Sequence, residues 1–270
     1  MHFVDAKGIL NKNNGFYGMN IYRGCSHGCI YCDGRSDCYQ LKHRFEDIEV
    51  KQNAPELLDK ALKSKRKKCM IGTGYISDPY LHCEEEIKLT RRCLEVILKN
   101  EFGLAIQTKS DRILRDIDLL EKINKTAKCV VQMTLTTYDD ELCKIIEPNV
   151  CNTKRRIEVL EQMRERGIPT IVWLSPILPF INDTKDNIKS ILEGCVRAGV
   201  KGVLNFGMGV TLRDGDREYF YEALDKHFPG MKERYIKTYG NAYELLSPDT
   251  EELEALLHQT CKENGILSNP

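Results

Sequence analysis

Short apolar runs alternate with helix-length amphipathic segments along most of this chain, and that alternation restricts its fold more than any other feature. Cys69–Gly74, Leu104–Thr108, Cys129–Leu135, Thr170–Leu174 and Val203–Phe206 read as strands without polar alternation, the mark of burial on both faces and hence of a parallel sheet. Helical periodicity fills the intervals at Pro55–Lys65, Glu84–Lys99, Ile113–Asn124, Lys154–Arg166, Thr184–Ala198 and Arg217–His227. Gly167 stops one of these helices and Pro229 follows another. With Met19–Tyr22 as the first strand, six β–α units follow one another. An open sheet and a partial barrel both satisfy the pattern. Residues 231–270 carry one more helix at about Thr250–Glu263, so we expect a core of residues 1–230 with a helical extension, 231–270, packed on it.

Chemistry concentrates in the loop after the first strand, Arg23-Gly-Cys-Ser-His-Gly-Cys-Ile-Tyr-Cys32, which spells Cys-x3-Cys-x2-Cys. Three thiolates this close on a glycine-containing loop can wrap one face of a metal cluster, and thiolates are the usual ligands of iron–sulfur clusters. Three ligands on a four-iron cluster leave one iron open to a substrate or cofactor. The competing reading is a zinc site that adds Cys38, with His27 or His43 as substitutes. Zinc sites usually pair two Cys-x2-Cys knuckles, however, and only one is present. With twelve cysteines and no secretory signal, metal or thiol chemistry is a better expectation than disulfides. Cys69, Cys93, Cys129 and Cys195 lie in apolar periodic segments and read as core residues.

Lys+Arg and Asp+Glu are equal at 40 each, which argues against nucleic acid or an anionic membrane as the main partner. The basic run Lys63–Lys68 joins a helix to the next strand and reads as a solvated turn. No stretch approaches the roughly 18 consecutive apolar residues of a membrane span, so the expectation is a cytoplasmic protein.

The cysteine spacing, with Tyr31 directly before the third thiol, resembles the signature of the radical S-adenosylmethionine (SAM) superfamily. That resemblance implies an α/β fold, a TIM-like partial (β/α)6 barrel. It also implies a [4Fe–4S] cluster on Cys25, Cys29 and Cys32, and reductive cleavage of SAM to methionine and a hydrogen-abstracting 5′-deoxyadenosyl radical. An electron donor such as flavodoxin or ferredoxin would be the partner. Further pieces are similar to the spore photoproduct lyase-like family: Ser77-Asp-Pro-Tyr80, Leu89-Thr-Arg91, Thr108-Lys-Ser110, Arg115-Asp116, Glu147-Pro148 and Arg156.

From that family, Ser77 is expected to hydrogen-bond the methionyl part of SAM and Lys109 to pair with its carboxylate. Thr134, with Thr136 as neighbour, is expected to meet the polar part of SAM. Asp78 and Ser110 complete the set, Ser110 or Asp111 also being suited to cap the next helix. Tyr31, Tyr75 and Cys151 are candidate catalytic residues, with Cys83 another redox-capable side chain nearby. The lyase carries a donor cysteine shortly before its Ser-Asp pair and a tyrosine after its third cluster cysteine. Here Gly74-Tyr-Ile-Ser77 and Asp33 occupy those places, so repair of DNA photoproducts is not the expected reaction. A SAM-dependent enzyme with an unidentified substrate is preferred over such a repair enzyme and over a non-catalytic metal-binding protein.

Overall fold

A computed structural model describes residues 1–12 and 15–268. Eight strands form one sheet: β1 (Leu10–Lys12), β2 (Phe16–Met19), β3 (Met70–Thr73), β4 (Gly103–Thr108), β5 (Cys129–Thr134), β6 (Thr170–Trp173), β7 (Gly202–Leu204) and β8 (Leu267–Ser268). Their hydrogen-bonded order is their order in the chain. β2–β3, β3–β4, β4–β5 and β7–β8 pair in parallel, and only the β1–β2 hairpin is antiparallel among the registers described for this sheet. Sequential parallel neighbours require crossovers, which are the helices that the periodicity marks.

Packing divides the chain into two compact units. The first comprises Met1–Ser26, His43–Met133 and Glu158–Ile171. Its helices α1 (Ala54–Lys63), α2 (Leu89–Lys99) and α3 (Ile117–Thr126) bury apolar stripes at helical spacing, such as Leu58 with Leu62 and Leu94 with Ile97. Pro55 sits in the first turn of α1, where its missing N–H costs nothing. Three short strands, His2–Val4, Glu49–Lys51 and Tyr22–Arg23, form a separate small sheet in the same unit.

The second unit comprises His27–Lys42, Thr134–Ile157 and Val172–Pro270. After α4 (Thr153–Glu165), α5 (Lys185–Ala198) starts on a Thr184 side-chain cap to Asn187 N and stops at Gly199, whose φ of 65° is left-handed. α6 (Asp216–His227), α7 (Met231–Tyr239) and α8 (Thr250–Glu263) follow. Ile30 and Tyr31 from the cysteine loop join Ile146, Leu178, Phe220, Leu224 and Tyr235 in one buried cluster.

Several boundaries depart from the sequence expectation for identifiable reasons. The expected strand Met19–Tyr22 is two strands in two sheets, because Phe16–Met19 pairs with β3 and Tyr22–Arg23 pairs with Glu49–Lys51. The expected helix Glu84–Lys99 breaks at Lys88, which turns left-handed at φ 50°. The break lets the Glu84 carboxylate accept the Thr90 N–H at 2.7 Å, capping the helix that follows. The helix expected over Ile113–Asn124 opens with a 3-10 segment, Asp111–Asp116, which Ser110 caps through Arg112 N. Asn205 ends β7 early by accepting from Gly207 N. The tail holds the expected Thr250–Glu263 helix and also α7, β8 and the strand Glu244–Leu246, paired antiparallel with Gly209–Thr211. No helix among the described residues is long and apolar enough to cross a membrane.

Candidate active site

The cysteine loop is pinned along its backbone. In the first unit, Cys25 N donates to the Phe45 carbonyl at 2.9 Å. Gly24 adopts φ +81°, and a Cβ there would lie 2.4 Å from that same carbonyl oxygen, so the position demands glycine. In the second unit, Asn149 N donates to the His27 carbonyl at 3.1 Å, Ile30 N to the Ile146 carbonyl at 3.0 Å and Cys32 N to the Cys29 carbonyl at 3.4 Å. Cys25 and Cys29 are buried and Cys32 is partly buried, and none of the cysteines is in a disulfide. Cys38 is exposed and its sulfur accepts from Arg213 Nη1 at 3.4 Å. Cys38 thus stands against a guanidinium rather than against another thiol.

Each flank of the loop is anchored by a tyrosine on a buried carboxylate that is itself paired with an arginine. In the first unit, Tyr22 donates its phenol to Glu84, and Arg115 Nη2 reaches Glu84 Oε2 at 2.8 Å. Arg115 also holds Asp116 at 2.7 Å, and Arg91 reaches Asp116 at 3.0 Å. In the second unit, Tyr31 donates to Glu147, and Arg156 pairs with Glu147 at 2.6 Å with neither side chain exposed. Thr136 Oγ1 donates to Glu147 at 3.2 Å, while Arg156 gives Nε–H to the Cys151 carbonyl at 2.9 Å and Nη1–H to the Thr134 carbonyl at 3.1 Å.

Burial, then the adjacent carboxylate, drives both phenols well above the usual tyrosine range. Burial alone would weaken the Arg156 proton, but the Glu147 carboxylate outweighs it and holds the guanidinium charged. Thus Arg91, Arg115 and Asp116 build the network under Tyr22 in the first unit, and Glu147 and Arg156 the one under Tyr31 in the second.

The remaining expected residues fall into the two units. In the first, Asp78 spends both oxygens on local structure. Oδ1 accepts from Tyr80 N at 2.8 Å and Thr108 Oγ1 at 2.7 Å, and Oδ2 from Lys109 N at 2.8 Å. Ser110 N in turn donates to Thr108 Oγ1 at 2.9 Å. Asp78 and Ser110 therefore shape the turn that carries Lys109. Ser77 differs: its hydroxyl is buried and has no hydrogen-bond partner among the described residues. An orphaned buried hydroxyl is costly unless a ligand completes it.

Tyr75 is 42% exposed. Its ring crosses Gly72, where a Cβ would lie 2.8 Å from Tyr75 Cε2. Gly74 adopts φ +96° with a virtual Cβ only 1.9 Å from the Gln107 carbonyl oxygen. Burial raises the Tyr75 phenol, opposed by its bond to Gln132, and raises the Cys83 thiol to about 11.

In the second unit, Thr134 and Thr136 are buried and Cys151 is partly buried, all three tied to the Arg156–Glu147 pair. The sequence reading missed Phe206, which is 68% exposed and packs on Trp173 with ring centroids 5.0 Å apart. Its only sequence signal is an aromatic just past a strand end. Asp33, directly after Cys32, accepts from Tyr39 at 2.6 Å and Ser36 at 3.1 Å and is committed to the loop.

Residues 19–195 match the sequence profile of the Radical SAM superfamily. An uncharacterized protein of Methanocaldococcus jannaschii is 31% identical over 237 residues, covering 87% of this chain and 80% of that protein. A Radical SAM Nalpha-GlyT isomerase of Pseudomonas phage M6 is 23% identical over 235 residues, covering 87% of this chain and 44% of that protein. Among solved structures, a spore photoproduct lyase superposes with TM-score 0.71 at 13% identity, over 98% of this chain and 80% of that one, which establishes a shared fold. Membership of this superfamily implies SAM and an iron–sulfur cluster. The α/β, TIM-like fold expected from the sequence is the fold of these enzymes, and the chain belongs to the radical SAM superfamily.

Proposed function

We propose that Cys25, Cys29 and Cys32 hold a [4Fe–4S] cluster and that the enzyme cleaves SAM to abstract hydrogen from a substrate. The observation that carries this reading is the Cys-x3-Cys-x2-Cys loop, inside the matched region and anchored by Tyr22 on Glu84 and Tyr31 on Glu147. When bound, the cluster supplies the electron that splits SAM into methionine and a 5′-deoxyadenosyl radical.

The chain's residues bind and orient. Ser77 offers its unpartnered hydroxyl to the methionyl group. Lys109, its backbone fixed by Asp78, pairs its ammonium with the SAM carboxylate as a point charge. Thr134 contributes the polar contact to SAM, the Thr136 hydroxyl being spent on Glu147. Tyr31 acts as a positioning residue, since its buried phenol is spent on Glu147. Tyr75, exposed beside the Ser77 turn, is the better of the two tyrosines for meeting a substrate. A flavodoxin- or ferredoxin-type protein delivers the electron. Photoproduct repair is disfavoured because Tyr75 and Asp33 stand where the lyase carries its donor cysteine and tyrosine, and Asp33 is committed to the loop through Tyr39.

Iron and sulfide analysis with electron paramagnetic resonance of the dithionite-reduced protein tests this. The expected result is about four iron per chain and a reduced-cluster spectrum that changes on adding SAM. Cys29→Ala should lose both. A spectrum indifferent to SAM, or iron retained by Cys29→Ala, would overturn the proposal.

A further inference from the structure

A second group of ligating side chains, none of them a cysteine, lies in the first unit. One nitrogen each from His2 and His43 and one carboxylate oxygen of Glu49 lie within 4.8 Å of one another. The imidazoles meet edge to face, ring centroids 4.8 Å apart. His43 Nδ1 lies 3.0 Å from the Arg44 carbonyl, which can only accept, so the proton sits on Nδ1 and Nε2 carries the lone pair. That Nε2 is buried and makes no hydrogen bond, Glu49 Oε2 standing 3.8 Å away, beyond hydrogen-bond reach. His2 Nδ1 lies 3.0 Å from Asp47 Oδ2, which likewise leaves Nε2 as its available nitrogen. Lys51, within electrostatic reach of Glu49, gives its ammonium to the Asn20 carbonyl at 2.7 Å.

Two imidazoles, each with one N–H on an oxygen and one nitrogen within 4.8 Å of the other's and of a shared carboxylate oxygen, are the kind of arrangement in which histidines ligate metals. We propose that His2, His43 and Glu49 bind a first-row divalent metal ion of the zinc type, with Asp47 and the Arg44 carbonyl orienting the two histidines. Ligand atoms around tetrahedral zinc stand roughly 3.3–3.5 Å apart, so the 3.8 Å between His43 and Glu49, within a set spread over up to 4.8 Å, closes by inward movement of the side chains on binding. Three protein ligands leave a fourth position for water. Such an ion would join the strand His2–Val4 to Glu49–Lys51 and to the His43–Phe45 segment, whose Phe45 carbonyl holds Cys25 N. It would therefore brace the base of the cysteine loop without touching a cysteine.

Iron and zinc measured together on the cluster-loaded protein, free of histidine tags and handled anaerobically, test the proposal. After incubation with zinc and gel filtration, wild type should retain about one zinc beyond its iron. His43→Gln and Glu49→Gln should each bind zinc at least tenfold more weakly with iron unchanged, and Asp47→Asn roughly 10–100-fold more weakly. A variant with Cys25, Cys29 and Cys32 all changed to Ser should lose iron and keep zinc. Zinc should raise the melting temperature of wild type and not of His43→Gln. Zinc that is absent from wild type, unaffected in both His43→Gln and Glu49→Gln, or lost along with the cysteines would overturn it.

Discussion

Glu147→Gln is the most informative single change. It preserves the side chain's volume and its ability to accept from Tyr31, and it leaves the Arg156 guanidinium without a countercharge where neither side chain is exposed. Breaking a buried pair from one side costs about 3–5 kcal/mol, because the remaining charge has lost both water and partner. At about 2–4 °C per kcal/mol for a chain of this size, the melting temperature should fall by roughly 6–20 °C. Differential scanning fluorimetry on anaerobic, cluster-loaded protein reads that shift. Adding Arg156→Gln removes the orphaned charge, so the double variant should lose less than the sum of the singles by roughly 0.5–3 kcal/mol. A Glu147→Gln midpoint within about 1 °C of wild type, or an additive cycle, would refute the reasoning that this pair anchors the loop.

Other expectations concern the loop, the SAM turn and pH. Gly24→Ala places a Cβ 2.4 Å from the Phe45 carbonyl, so the variant should load less iron than wild type under identical reconstitution; equal loading would count against the close approach. Ser77→Ala should leave the melting temperature unchanged or slightly higher, because the hydroxyl has no partner, while equilibrium dialysis shows SAM affinity weakened roughly tenfold or more. Unchanged affinity would remove Ser77 from the binding site. Burial lifts the Asp216 carboxyl from 3.8 to about 6, its bond from Arg213 N opposing the shift. The folded chain holds that proton more tightly than the unfolded one, so the stability it confers is full below 3.8 and lost as pH rises through about 6. Asp216→Asn should therefore gain urea resistance relative to wild type across that window, and parallel curves would contradict the assignment.

The parts legible in the sequence are those that rest on period and spacing. The apolar runs at Met70–Thr73, Gly103–Thr108 and Cys129–Thr134 announce strands because burial on both faces removes polar alternation. The Cys-x3-Cys-x2-Cys spacing announces the superfamily because it is local in sequence, and it lies inside the matched residues 19–195. What stayed hidden depends on contacts between distant segments. The family resemblance marks Glu147 and Arg156 as separate pieces, and only the fold shows them as a pair 2.6 Å apart. Asp78 reads as a ligand contact, yet its partners are Tyr80, Thr108 and Lys109, two of them about thirty residues away. His43 reads as a substitute ligand for the cysteine site, yet it stands with His2 and Glu49, and nothing periodic links residues 2, 43 and 49. The helix break at Lys88 likewise follows from where Glu84 must go.

The most direct test of the central claim is chromatographic detection of 5′-deoxyadenosine and methionine from reduced, cluster-loaded protein supplied with SAM. Equal amounts of the two products, absent from the variant with Cys25, Cys29 and Cys32 changed to Ser, are the predicted result. A fully loaded cluster that leaves SAM intact under reducing conditions would contradict the account.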